Sequence, residues 1–458
     1  MMPPHIGKTG GESSVRQSND GMLGAMPVPR LVVTMSLPIM LSMLISAVYN
    51  LVDSVYVAQY SDEAFLALSY AYPIQMLLVA FCSGIGVGFS AIFSRRLGEG
   101  DQEQAASAVC HGFFLYGLCW LLFLLFALTG AAPFLRLSTE DPSVARQGAQ
   151  YLLICCGLSI GTCMQFLTER ILQAMGRPAG FMIVQGSGAI LNLILDPIFI
   201  FVLDLGVAGA AAATVIGQIS GALIGFWLVY RLRRQLPIRL RGFRPRGEML
   251  AEMGRVAAPA VVMQSLSSFM SLGLNQLLTR WSESAVFVLG AYFKLQTFIF
   301  MPIFGISSGL IPILSYNYGS GALRRVSASV RFGQQFTAVL SLSGALLLSL
   351  LASPLLRSAF RASPEALAMG APALRIIALS FFFAGTSIIF CSAFQSLGRS
   401  RWSLLVALLR QILLLLPAAA LLLALKPALV WAAFPLSELI SCFAAALLYR
   451  RTIQKQLL

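Results

Sequence analysis

Twelve apolar stretches separated by short polar intervals organise the chain. They run over 31–58, 66–94, 107–130, 150–174, 179–203, 207–230, 256–279, 285–315, 329–352, 373–396, 402–424 and 428–449. A helix of about 20 apolar residues crosses the hydrocarbon core of a bilayer, and each stretch is long enough. The pattern predicts an all-α integral membrane protein with twelve transmembrane helices. Residues 1–27 are polar, with Gly, Ser and Pro, and are expected to form a disordered cytoplasmic tail. They lack the apolar stretch and cleavage site of a signal peptide.

The stretches repeat. GIGVGFSAIFSRRLGEGDQEQ from Gly84 aligns with GISSGLIPILSYNYGSGALRR from Gly305, a shift of about 221 residues. Gly84, Ile85, Gly88, Ile92, Ser94, Gly98 and Gly100 meet Gly305, Ile306, Gly309, Ile313, Ser315, Gly319 and Gly321. Pro38 meets Pro259, Ser61 meets Ser282 and Gln75 meets Gln296 at the same shift; QAMGR at Gln173 meets QSLGR at Gln395 one residue later. Six helices per copy is an even number, so both copies insert the same way up. The expected architecture is two homologous six-helix lobes related by an axis along the membrane normal, with a substrate path between them. The boundaries follow as an N-lobe over 28–230, a basic cytoplasmic linker over 231–253, a C-lobe over 254–451 and a cytoplasmic tail over 452–458. Gly84, Gly86 and Gly88 lie inside an apolar helix with no strand before them, so close helix packing accounts for them better than a nucleotide-binding loop.

Composition agrees with a lipid environment: 58% of residues are hydrophobic, 11% are charged and mean hydropathy is +0.81. The net charge of +14 would suit nucleic acid, but the basic residues punctuate the apolar runs instead of forming one face. Sorting them by alternate loops puts 24 Lys and Arg on the side of the termini and 7 on the other, with Lys294 inside a helix. By the positive-inside rule both termini are cytoplasmic. The basic cluster over 231–255 is read as a positive-inside anchor, with specific binding of anionic lipid as the alternative. The eight cysteines lie in or beside apolar segments without a C-x-x-C pair and are read as small core hydrophobes, so no metal site is assigned. With His5 and His111 the only histidines, no catalytic or zinc constellation emerges and no enzyme is expected.

Local motifs narrow the class. LPIMLSMLISAVYNLVDSVYVAQY in helix 1, TERILQAMGRP and ILNLILDPIFIF in helices 4 and 5, and AYFKLQTFIFMPIFGISSGLIPILSYNYG in helix 8 resemble the signature stretches of bacterial MATE (multidrug and toxic compound extrusion) transporters, especially the DinF-like branch. The resemblance covers nearly everything from residue 30 to 450. It implies a monomeric secondary transporter of the bacterial inner membrane that extrudes amphipathic, often cationic compounds in exchange for protons or sodium.

Charges inside the apolar runs are the candidate chemistry, because an ionised side chain at the bilayer centre costs about 2.5–3.5 kcal/mol on insertion scales. Asp53 in helix 1 and Asp196 in helix 5 both fall in the outer half of the membrane. Tyr49, Asp53 and Tyr56 share one helical face with Asn50 beside them, and Asn192 stands one turn before Asp196. Asp53, Asp196, Asn50 and Asn192 are therefore the expected coupling residues, and the resemblance also implies functional acids at positions 53 and 196. Burial favours the neutral form of such acids, so a proton is the expected coupling ion; sodium on the oxygens of these four residues is the alternative. Glu169, beside Arg170, is read either as a local ion pair or as part of a substrate site with Tyr49 and Tyr56, and the resemblance implies an acid at position 169. The second lobe has Leu274 where the first has Asp53, and no Asp or Glu is read at mid-membrane there. It carries Lys294 in helix 8, read either as structural, with Gln296 among its expected partners, or with Gln296 as part of the substrate site, and Arg410 in helix 11, expected to snorkel or pair. A flippase for lipid-linked saccharides is the other transport reading, disfavoured by the acidic first lobe.

Overall fold

The computed structural model describes residues 22–233, 243–360 and 362–454. Its helices, in chain order, are α1 (Met22–Ala25), α2 (Val28–Tyr60), α3 (Asp62–Gly98), α4 (Gln102–Thr129), α5 (Ala131–Ser138), α6 (Pro142–Gly157), α7 (Ile160–Ala174), α8 (Pro178–Pro197) and α9 (Gly206–Arg231). There follow α10 (Gly247–Thr279), α11 (Glu283–Gly319), α12 (Leu323–Ser358), α13 (Pro364–Ala378), α14 (Phe381–Ser396), α15 (Ser400–Leu408), α16 (Leu415–Leu425) and α17 (Ala433–Tyr449). No strand occurs among the described residues. Ten helical stretches are long and apolar enough to cross a membrane; the bent pairs α6–α7 and α13–α14 bring the count to twelve.

The repeat seen in the sequence is a repeat of local devices. Ser61 and Ser282 each cap a long helix with their hydroxyl, accepting from the amides of Ala64 and Ser284. Gly100 and Gly321 close the turns after α3 and α11 with φ of 78° and 76°. Spans four and ten, expected as single helices, are each bent by 43°. At both breaks a serine amide, Ser159 or Ser380, bonds three residues back instead of four, and its hydroxyl donates to the same carbonyl, Cys156 or Ile377. The last turn tightens there and a new helix starts in a different direction.

Each lobe has an apolar core, one running from Val57 through Val229 and reaching Met249 and Met253 of α10, the other from Leu274 through Phe434. A third cluster joins the lobes: Leu31, Val32 and Met35 of α2 pack against Ile306, Leu310, Ile313 and Leu314 of α11. All these residues lie toward the arginine-rich face of the molecule.

Three boundaries move. Met22–Ala25, assigned to the disordered tail, is a short helix whose Leu23 is buried and whose Leu23 carbonyl accepts from Asn317 and Arg325. The linker assigned to 231–253 ends early, because α10 begins at Gly247; residues 234–242 lie outside the described residues. The π-helical turn Arg450–Gln454 carries span twelve into the assigned tail, and 455–458 lie outside the described residues, as do 1–21.

Candidate ion and substrate site

The repeated glycines define how the lobes meet. A β-carbon on Gly84 would stand 2.7 Å from the Val261 amide of α10, and one on Gly305 would stand 2.6 Å from the Met40 Cα of α2. Gly88 similarly abuts Ala257, Gly309 abuts Ser36, and Gly98 and Gly319 each press on the other lobe's backbone at Tyr316 and Arg95. Val261 and Met40, Ala257 and Ser36, and Tyr316 and Arg95 are themselves related by the 221-residue shift. The contacts thus obey one two-fold relation, and all lie toward the basic face. Polar bonds seal the same end: Arg96 Nη2 donates to Glu252 Oε2 at 2.9 Å, Arg170 Nη1 to Ser308 Oγ at 2.7 Å, and Gln173 Nε2 to the Ser308 carbonyl at 2.7 Å. Toward the opposite face no such glycine contact joins the lobes among the described residues. Asn50 of α2, Ser268 of α10 and Lys294 and Phe298 of α11 are exposed there.

Within the N-lobe, α2 and α8 bring Asp53 and Asp196 together as neighbouring acids. Asp53 is 9% exposed and Asp196 0%. Asn192, one turn before Asp196, donates to Asp196 Oδ1 at 3.0 Å and reaches Thr214 at 3.4 Å. Asp53 Oδ1, Asp196 Oδ2 and Asn192 Oδ1 are buried without a partner. Each of these acceptor oxygens lacks a donor, and on neighbouring buried acids such oxygens suit a proton or a small hard cation. Pro197 ends the α-helical ladder beside Asp196, and the chain continues as a π-turn over Ile198–Val202. Tyr49 stands within electrostatic range of Asp53, Asp196 and Glu169. Tyr56 packs edge-on to Phe201 of that π-turn at 6.3 Å.

Other candidates fall elsewhere. Asn50 donates to the Ser46 carbonyl at 2.8 Å and faces the opening between the lobes, apart from the acid pair. Glu169 accepts from Gln165 at 2.9 Å and makes no salt bridge to Arg170, which reaches across to the C-lobe instead. Lys294 and Gln296 share a helix but not a face; Gln296 Oε1 is buried without a partner. The reading that the C-lobe has no acid at mid-membrane is corrected by Glu438 of α17. It accepts from Arg410 Nη2 at 2.8 Å and Nε at 3.1 Å, and both side chains are nearly buried. Its place in the middle of the stretch 428–449 was the available signal. Gln75, which donates to Tyr151 at 2.6 Å, and Gln185, which donates to Ser46, complete the N-lobe's polar interior. Gln75 was marked only as the repeat counterpart of Gln296, and nothing in its own segment marked Gln185. The sulfurs of Cys82, Cys119 and Cys163, from α3, α4 and α7, lie within 4.8 Å of one another and are buried, so thiols read as core hydrophobes also have a spacing that suits a thiophilic metal.

A two-lobed, twelve-span helical protein with a buried acid pair in one lobe has the architecture of a secondary transporter. The chain matches the MatE family over residues 38–198 and 259–421, one match per lobe, and it belongs to that family. It is 26% identical over 402 residues to the "Multidrug export protein MepA" of Staphylococcus aureus strain MRSA252, covering 85% of this chain and 86% of that one. It is also 26% identical over 417 residues to the "FAD transporter" of Shewanella oneidensis strain MR-1, covering 88% and 89%. Among solved structures, one described as the outward-facing conformation of a multidrug resistance MATE family transporter superposes with a TM-score of 0.89 at 23% identity, over 95% of this chain and 97% of that one. The chain is therefore a multi-pass MATE transporter of the inner membrane.

Proposed function

We propose that this protein exports amphipathic, often cationic small molecules in exchange for inward protons, by alternating access of its two lobes. The observation that carries this reading is the Asp53–Asp196 pair, buried together inside one lobe with an unpartnered oxygen on each. Two carboxylates in contact cannot both stay ionised in a poorly solvated site, so at least one proton is held until the site opens to water. In the state described here the lobes are sealed on the basic face, and no glycine contact joins them on the other among the described residues. By the positive-inside rule this state faces outward, with the acid pair on the opening half. Protonation changes the charge of the pair and lets α2 and α8 repack, so the drug leaves outward and the proton is released after the lobes rock. The relatives' roles in multidrug export and FAD transport support a small organic substrate.

Sodium coupling is the second reading. Asp53, Asp196 and Asn192 offer the hard oxygen ligands it needs, and Thr214 adds a hydroxyl. Inverted vesicles discriminate: a pH gradient alone drives ethidium uptake under the proton reading, whereas uptake driven only by a sodium gradient replaces it. The chain works as a monomer on this reading, with lipid as its surroundings and no cofactor.

A further inference from the structure

We propose that the cleft between the lobes binds amphipathic substrates that carry an anionic group, zwitterions included, and that Lys294 receives that group. This rests on the export reading above and specifies its substrate class. Helix α11 has two functional faces. Ala285, Val288, Leu289, Tyr292, Phe300 and Ile303 are buried in the C-lobe core. Gly305 and Gly309 point the other way, onto Met40 and Ser36 of the N-lobe. Lys294 precedes Gly305 by three helical turns and Phe298 lies one turn after Lys294, so both extend the interlobe face. There no glycine contact joins the lobes among the described residues, and Phe298 is 43% exposed. Lys294 is exposed too, and its spacing from Gly305 places it on the helix face that meets the other lobe.

Its charge has no protein partner: the salt bridges among the described residues join Arg95 and Arg96 to Glu99 and Glu252, and Arg410 to Glu438. An unpaired ammonium at membrane depth belongs to a water-filled path and marks a site. The N-lobe acids do not neutralise it. Asp53, Asp196 and Glu169 are 9%, 0% and 3% exposed and are turned into their own lobe. The polar groups that share the cleft wall, Asn50 on α2 and the Gln264–Ser83 pair joining α10 to α3, are neutral. The fixed charge facing a bound molecule is therefore positive. Phe298 offers an apolar surface beside it, and a substrate with an aromatic body and a carboxylate or phosphate matches both.

A rhodamine free acid and its methyl ester test this, because they share a cationic aromatic body and differ by one carboxylate. Binding to the purified full-length protein is measured by fluorescence anisotropy. Wild type is expected to bind the free acid about ten-fold more tightly than the ester. Lys294→Gln equalises the two, and Lys294→Arg keeps the preference, which a merely structural role of the lysine would not produce. Equal affinities in wild type, or a preference that survives in Lys294→Gln, overturn the proposal. Gradient-driven movement of the same dyes in vesicles is scored separately. A binding preference without any transport sinks the export reading and leaves the anion site standing.

Discussion

Asp196 is fully buried, yet one of its oxygens has no hydrogen-bond partner, and the same holds for one oxygen of Asp53. Such oxygens are costly unless a proton or cation visits them. Replacing either acid by Asn supplies a permanent donor, so Asp53→Asn and Asp196→Asn are each expected to abolish gradient-driven efflux while the protein still inserts. Efflux from cells with wild-type rate and pH dependence in both variants would remove the pair from the mechanism. Glu438 behaves differently, because its acid is matched by Arg410. Glu438→Gln leaves a buried guanidinium uncompensated, at a cost of about 3–5 kcal/mol. The thermal midpoint in detergent should fall for that variant and recover when Arg410→Leu and Glu438→Leu are combined. The acids at 53 and 196 were legible because a charge within an apolar run is conspicuous, and Asn192 because helical spacing stacks it on Asp196. Gln165, Thr214 and Tyr151 were not, since their roles come from contacts between helices far apart in the chain.

The helices themselves were legible almost to their ends, because lipid demands long apolar runs with satisfied backbones. What hydropathy does not encode is direction. Spans four and ten read as single runs, and their 43° bends depend on a switch of one backbone hydrogen bond at Ser159 and Ser380. The repeated glycines were correctly legible as packing positions, but their partners lie in the other lobe, which a pattern within one helix cannot reveal. Gly98 and Gly319 test the point. A leucine at either position overlaps backbone of the opposite lobe, so it should hold the basic face open. Hydrogen–deuterium exchange at the basic ends of α3 and α11 is expected to rise in Gly98→Leu, and protection equal to wild type would contradict the interface.

The whole molecule is held in this state at one end only. The seal combines partly exposed ion pairs, Arg95 and Arg96 with Glu252, with the buried bonds of Arg170 and Gln173 to Ser308. Exposed pairs contribute about 0–1 kcal/mol each, whereas buried charge-assisted bonds contribute more. Opening toward the basic face must break both kinds, and Arg170 must then find new partners or water, since one of its nitrogens is already unpartnered. A transporter needs this seal to be weak enough to yield to a bound ligand, because a ligand shifts the two states only by its differential affinity for them. The Arg170–Ser308 contact is one of the buried bonds that this opening must break. Ser308→Ala removes the buried acceptor and should move the population toward the state open on the basic face, raising the reactivity of a cysteine placed at Ala257 toward a membrane-impermeant thiol reagent added from that side. Bridging Gln173→Cys to Ser308→Cys with a short bifunctional thiol reagent does the reverse. It should stop transport completely while leaving the cleft labelled from the opposite side. Transport that continues in the bridged protein would mean that the lobes do not separate at this end during the cycle.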